Sequence, residues 1–259
     1  MQVDLARETK RAPADNQDVI GLERRSLPLY QTVMAYAEVG PWTRVLDVGC
    51  GAGLAAEVAV HRGALVAGID ADPARVAAAR ERTGGDFRVG DLGALPWPAG
   101  SFDVVTGFDS FGHAADPARA FAEARRVTRP GGLVWALVWA APFETEAAAL
   151  FTALDALIPP RHPFAPGMFA LSDPARLCAA ARAGGLVPDQ LYELPCDLHF
   201  ADLRGAIRCL DATALAAWAR QFVAASEVTE AHARALAPFR TPHGGYAARA
   251  LFRCLAARA

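Results

Sequence analysis

Val45-Leu46-Asp47-Val48-Gly49-Cys50-Gly51-Ala52-Gly53 is the stretch whose reading decides the fold. A hydrophobic strand carries an acidic residue near its end and passes at once into a loop with glycine at every second position. An alanine-rich helix, Leu54 to His61, follows directly. Glycine lets a backbone turn through positive φ and approach a ligand without a Cβ in the way. Strand, glycine loop and helix N-terminus together make a ligand-facing edge of an α/β sheet. The spacing is G-x-G-x-G, and Leu54 stands where the dinucleotide fingerprint G-x-G-x-x-G needs its last glycine. A helix N-terminus favours anions, yet Asp47 at the mouth of this loop would repel phosphate and attract a cation or an amine.

With Asp47 included, the run resembles motif I of the class I S-adenosylmethionine (SAM) dependent methyltransferases. SAM carries an ammonium, a sulfonium and no phosphate, which suits an acidic strand end. Downstream, Ala64 to Ile69 reads as a second buried strand ending in Asp70, followed by Asp72-Pro73 and a helix from Ala74 to Thr83. Asp70 lies about twenty residues beyond the loop, where an α/β nucleotide site holds a carboxylate for ribose hydroxyls. Pro73 suits the first turn of a helix with Asp72 as its N-cap. A third strand, Phe87 to Val89, leads into Gly90-Asp91-Leu92, then Leu95-Pro96-Trp97-Pro98 and Ser101-Phe102-Asp103.

This order of motifs resembles the type 11 methyltransferases, the group that includes ubiquinone and menaquinone biosynthesis enzymes. The resemblance implies that Asp91 accepts from the adenine amino group and that the Leu92 backbone N–H reaches a ring nitrogen. The remaining cofactor residues it implies are Asp47, Gly49, Cys50, Gly51 and Gly53 of the loop, Asp70 and Ala71 after the second strand, and Phe108. It continues through a strand from Asp103 to Gly107, a helix from Ala118 to Arg126, the Val127-Thr-Arg-Pro-Gly-Gly132 turn and a strand from Leu133 to Trp139. It covers Thr43 to Ala140 with specific motifs and runs on more loosely to Pro238–Tyr246. The expected fold is α/β: a Rossmann-like, doubly wound, mostly parallel seven-stranded sheet with helical insertions after strands five and six. One domain is expected, with an N-terminal helical cap (1–40), a SAM-binding core (41–140) and a remainder carrying the insertions (141–259).

The 259 residues suit one such domain, and 53% hydrophobic residues are ample for a core. A net charge of −2, with no basic run beyond two residues, gives no footprint for nucleic acid. The polar stretch Met1 to Asn16 lacks the apolar region of a signal peptide. The longest apolar run, Leu133 to Phe143, is too short to span a bilayer. Cys50, Cys178, Cys196, Cys209 and Cys254 are odd in number and scattered, which points to reduced thiols in a cytoplasmic protein. No histidine and carboxylate set has metal-ligand spacing, so no metal is expected. Oligomeric state is not legible.

The N-terminal cap reads as helix from Asp18 to Val39, interrupted near Pro28. After strand five, a helix is expected over Glu144 to Leu157, then a proline-dense flap, Ile158 to Gly167, then a helix opened by Ser172 as N-cap. Leu186 to Leu194 reads as the sixth strand, Ala201 to Leu236 as a helical insertion and Tyr246 to Ala256 as the final strand. Open α/β folds bind ligands at the carboxyl ends of their strands. Phe143–Phe169 and His199–Arg220 are therefore the expected walls of an acceptor pocket. Their apolar content implies a small apolar or aromatic methyl acceptor. Asp109 and His113, just past strand four, are the candidates for a general base. Two alternatives stand beside a methyltransferase: a protein that binds SAM without transferring methyl, and a nicotinamide-dependent oxidoreductase, against which Asp47 and the missing glycine argue.

Overall fold

A computed structural model describes residues 21, 23–159 and 167–259. The expectations for residues 1–20 and for most of the proline-dense flap lie outside them. The described chain runs α1 (Leu27–Tyr36), β1 (Arg44–Val48), α2 (Leu54–His61), β2 (Leu65–Asp70), α3 (Pro73–Thr83), β3 (Asp86–Val89) and β4 (Phe102–Phe108). It continues with α4 (Pro117–Val127), β5 (Thr128–Trp139), α5 (Ala148–Thr152), α6 (Pro174–Ala183), β6 (Val187–Pro195), β7 (Leu198–Phe200) and α7 (Leu203–Asp211). α8 (Ala214–Ala219), α9 (Ala225–Leu236), β8 (Tyr246–Ala248) and β9 (Leu251–Arg258) complete it.

Seven strands form one sheet in the order β3-β2-β1-β4-β5-β9-β6. β1 to β5 pair in parallel, and β9 runs antiparallel between β5 and β6. The expected doubly wound, mostly parallel sheet is what the chain builds. Its order reverses between β1 and β4, so a crevice opens there beyond the strands' carboxyl ends, where such folds take ligands. One face is closed by α1 and α2 over residues such as Val45, Trp135 and Cys254. The other is closed by α4 and α6 over Leu46, Val105 and Leu255.

Helix starts in this fold follow one local rule. Asp72, Asp116 and Asp173 each precede a proline in the helix's first turn, and each carboxylate accepts from backbone N–H groups of that turn. Such caps satisfy donors that the helix cannot, and each contributes about 1 kcal/mol. Asp173, rather than the expected Ser172, is therefore the cap of α6. Its carboxylate takes the Arg176 N–H at 2.7 Å, while the Ser172 carbonyl accepts from Arg253. Pro28 likewise sits in the first turn of α1, directly after a 3-10 turn at Arg24–Ser26, so the helical cap is interrupted there as expected.

Three other expectations are corrected. The helix foreseen over 144–157 shrinks to α5 and a 3-10 turn at Asp155–Leu157. Glu144 is drawn to Arg253 (2.5 Å), Thr145 donates to the Arg249 carbonyl (3.2 Å), and Glu146 pairs with Arg249. These long-range contacts hold 144–146 out of the helix. The helical insertion divides into α7, α8 and α9. The stretch foreseen as one final strand breaks at Arg249-Ala250: β8 pairs with β7 in a separate two-stranded ladder and β9 enters the main sheet. Asp197 receives the Ala250 N–H at 3.2 Å and fixes that break.

Candidate active site

Beyond the ends of β1, β2 and β4 lies a cavity of about 1800 Å³. Asp47, Gly49, Cys50, Gly51, Asp70, Ala71, Asp91, Leu92, Phe108, Asp109 and His113 all line it. Gly53 does not. It opens α2 in a left-handed conformation (φ 81°), and a Cβ there would meet Cα and Cβ of Ala79 at 2.9 Å. Its missing side chain lets α2 and α3 approach closely.

The glycine loop is held from the neighbouring strand. Gly49 and Cys50 donate their N–H groups to the Ile69 carbonyl at 2.8 and 3.0 Å. Asp70 Oδ2 accepts from Gly51 N at 2.9 Å, and its Oδ1 accepts from Asp72 N at 3.0 Å. Each carboxylate oxygen keeps a second acceptor site. Asp91 accepts the Gly93 N–H at 2.5 Å, which fixes the turn after β3. Cys50 packs beneath the loop against Ala56, Val76 and Phe87, and burial pushes its thiol well up, so it is inert.

Asp47 is 2% exposed and takes one hydrogen bond, from Thr106 Oγ1 at 3.1 Å. Burial, with the Asp70 and Glu23 charges adding to it, pushes its carboxyl up to about 7 against the pull of the Thr106 hydroxyl. A cation brought beside it would restore its ionised form. Ser110 is buried in the cavity wall, and its Oγ has no hydrogen-bond partner. Such an orphan hydroxyl calls for a polar ligand. Phe108 meets Tyr30 edge to face at 4.6 Å, and both rings border the cavity.

Asp109 occupies a left-handed conformation (φ 54°), which Asp tolerates better than most residues. Its N–H donates to the Leu137 carbonyl at 2.8 Å, and Trp139 Nε1 donates to Oδ2 at 3.1 Å. Removal from water pushes its carboxyl up to about 8, against the Trp139 hydrogen bond. What remains accessible of the side chain opens on the cavity. His113 Nε2 stands 4.0 Å from the same Oδ2, and burial lowers the imidazole below its usual range. Both groups are thus shifted toward their uncharged forms, Asp109 upward and His113 downward.

The far wall is apolar. Trp139 packs against Phe151, Phe169 and Phe252, and α8 adds Leu215 and Trp218. Both insertions foreseen as pocket walls reach the cavity, but not over their whole length. Phe143 is 90% exposed, and His199 lies in a separate surface recess, where its carbonyl accepts from Arg25. Glu23, Tyr30 and Ser110 line the site without having been singled out from the sequence. Tyr30 could have been found from the apolar face of α1. Glu23 had no local signal, because only the fold carries it to the loop.

Comparison with known proteins adds to this geometry. Residues 46–136 match a family model described as a methyltransferase domain. This stretch resembles a methyltransferase domain. It holds β1 to β4 and most of β5, and with them the glycine loop, Asp70 and Asp91. The chain is 41% identical over 104 residues to 2-methyl-6-phytyl-1,4-hydroquinone methyltransferase of Synechocystis sp., a match covering 38% of this chain and 33% of that protein. It is 41% identical over 97 residues to the ubiquinone biosynthesis O-methyltransferase of Hahella chejuensis, covering 35% and 41%. The matches thus span about a third to two fifths of the curated relatives' length. In the fold, the chain is similar to a putative methyltransferase of Bacillus halodurans, with TM-score 0.60 and 17% identity, covering 88% of this chain and 97% of that one. Among the described residues, no cluster of three or more His, Cys, Asp or Glu could hold a metal, and no helix is long and apolar enough to cross a membrane.

Proposed function

We propose that this protein is a SAM-dependent methyltransferase acting on a small apolar or aromatic molecule. The observation that carries it is the acidic crevice in which Asp47, Asp70 and the orphan Ser110 hydroxyl meet around a glycine loop. SAM, when bound, supplies a methyl group on a sulfonium that is already activated for in-line displacement. Asp70 would hold the ribose hydroxyls, Asp91 and the Leu92 N–H the adenine, and Asp47 the cationic methionine end. Gly49 leaves room for Ser110 and Gly51 keeps the space beside Glu23 open, while Phe108 packs against the ligand. Residues of this chain then have to orient the acceptor and keep water out.

The aromatic wall around Trp139 supports an apolar or aromatic acceptor. Two relatives whose names specify a hydroquinone substrate and O-methylation in ubiquinone biosynthesis support it as well. For a hydroxyl or amine acceptor, neutral His113 takes the proton, and Asp109 steadies the imidazolium so formed once it is itself ionised, above about pH 8. Calorimetry with SAM, S-adenosylhomocysteine and NAD tests the cofactor. A methyl-transfer screen against phenols, quinols, amines and carboxylates tests the reaction. Micromolar SAM binding with weaker NAD is expected. Equal or tighter NAD binding overturns the reading, and SAM binding with no acceptor methylated reduces it to a binding protein.

A further inference from the structure

Glu23 comes from the chain just before α1, far in sequence from the motifs that build the crevice, yet its carboxylate stands in the crevice wall. Its Oε1 lies 3.0 Å from where a Cβ on Gly51 would be. Arg75, from the first turn of α3, reaches to 3.6 Å from the same oxygen, so an ion pair crosses directly over the glycine loop. Burial pushes the Glu23 carboxyl up and the Asp70 charge adds to that, while Arg75 and Arg82 pull it down. Arg82 is itself engaged by Glu57 at 3.1 Å, which leaves Arg75 as the cation that Glu23 faces at close range.

The position of this carboxylate within the crevice gives it a specific task. Glu23 is within electrostatic reach of Asp70 and also of Asp47. In the proposed cofactor arrangement, Asp70 takes the ribose and Asp47 the methionine end. The covalent order of SAM puts the sulfonium between those two parts. Glu23 Oε1 stands over Gly51, which follows Asp47 along the loop and donates its N–H to Asp70, so its carboxylate faces the stretch of crevice that joins those two parts, where the sulfur would lie.

We propose that Glu23 is a cofactor-binding residue that reads the sulfonium charge, so that the site prefers SAM over its demethylated product. S-adenosylhomocysteine keeps the ammonium, the carboxylate, the ribose and the adenine, and differs at the sulfur, which is neutral. A carboxylate that meets only the sulfur's charge separates the two ligands; one that meets any shared group does not. Arg75 stands between Glu23 and Asp72, and a cationic ligand would compete with it for the Glu23 carboxylate. The preference for SAM would also speed release of the product, whose sulfur no longer offsets the cost of holding Glu23 away from water.

This inference rests on the proposed cofactor reading, and the experiment separates the two. Dissociation constants for SAM and S-adenosylhomocysteine are measured by calorimetry at pH 8 for the wild type, Glu23→Gln and Arg75→Ala, with thermal melts of each ligand-free protein as a folding control. Glu23→Gln is nearly isosteric, and it should weaken SAM by about tenfold or more while changing S-adenosylhomocysteine by less than about twofold. Arg75→Ala should leave SAM binding as tight as before or tighter, because a competing cation is gone. Equal losses for both ligands in Glu23→Gln, or no loss for either, overturn the assignment. A loss in Arg75→Ala matching that in Glu23→Gln overturns it too, since Glu23 would then act only by tying down the segment that carries it. A wild type that binds neither ligand refutes the cofactor reading itself.

Discussion

Asp47 sets function against stability within a single side chain. It is 2% exposed, and the fold holds its carboxyl at about 7, well above the usual carboxylate range. The sign follows from linkage. A carboxyl whose pKa is higher in the folded chain favours folding most while it is protonated, so its contribution is complete below the unfolded value. It is lost as pH rises from there through about 7. Asp47→Asn keeps the shape and the Thr106 contact but has no proton to lose. This variant should therefore be more stable than the wild type at pH 8 by a few kcal/mol, with little difference at pH 4. Urea midpoints at the two pH values check it. The same substitution should weaken SAM, since the cationic end loses its partner. Stability equal to the wild type at pH 8 would mean that water reaches this carboxylate.

Asp109 and His113 are shifted in the senses that suit proton removal from an acceptor. His113 is lowered from 6.5 by burial and is neutral at pH 7, while Asp109 ionises only near 8. For a hydroxyl acceptor, the single-turnover rate should climb with pH through the depressed histidine value and show a second rise near 8. His113→Ala should reduce that rate by about 10²–10⁴-fold with little change in SAM affinity. Asp109→Asn should remove the upper limb. Near-normal rates and pH profiles in both variants would leave catalysis to proximity and exclusion of water.

Among the elements, the α2–α3 pair shows how the glycine loop divides its work. Gly49 and Gly51 face the cavity, whereas Gly53 faces Ala79. Gly53→Ala adds a methyl group 2.9 Å from Ala79 Cα at a φ of 81°, where alanine is strained. It should cost roughly 1–3 kcal/mol of stability, read from urea unfolding, and weaken SAM only through the shifted loop. A stability loss below the resolution of the measurement would mean that α3 slides freely away from α2. The sequence made this βα core legible because each decisive signal is local: apolar runs, glycine spacing, and Asp-Pro pairs at three helix starts. Where distant partners decide, the sequence is silent. Arg253 and Arg249 lie about a hundred residues from the glutamates they hold, and they convert an expected helix at 144–157 into α5 and a single turn. The β7–β8 ladder was hidden for the same reason, as a three-residue strand has no identity until its partner arrives. Glu23 is the equivalent case within the site.

In the whole molecule, the cavity of about 1800 Å³ exceeds the usual size of a single small-ligand site, roughly 300–1,000 Å³. It opens over residues 46–136 at one end and under the insertions at the other, so the proposed cofactor and acceptor sites would lie in one cavity. Its wall is drawn from the chain before α1, from both sides of the β1–β4 switch point, and from the segments after β5 and β7. A ligand filling the cofactor end contacts several of these elements at once. Binding to the folded state alone adds RT ln(1 + [L]/Kd), about 2.7 kcal/mol at a hundredfold excess over Kd. For a domain of this size that amounts to a rise in melting temperature of about 5–10 °C. SAM at that excess should produce such a shift and NAD at the same concentration should not. Gly51→Val should abolish the SAM shift, because at a φ of 52° its side chain would press on Glu23 and fill the space beside the loop. The free variant's own melting point shows how much of the change is lost folding. A full SAM shift in a well-folded Gly51→Val protein would move the cofactor away from this loop, and with it the assignments to Asp47 and Glu23.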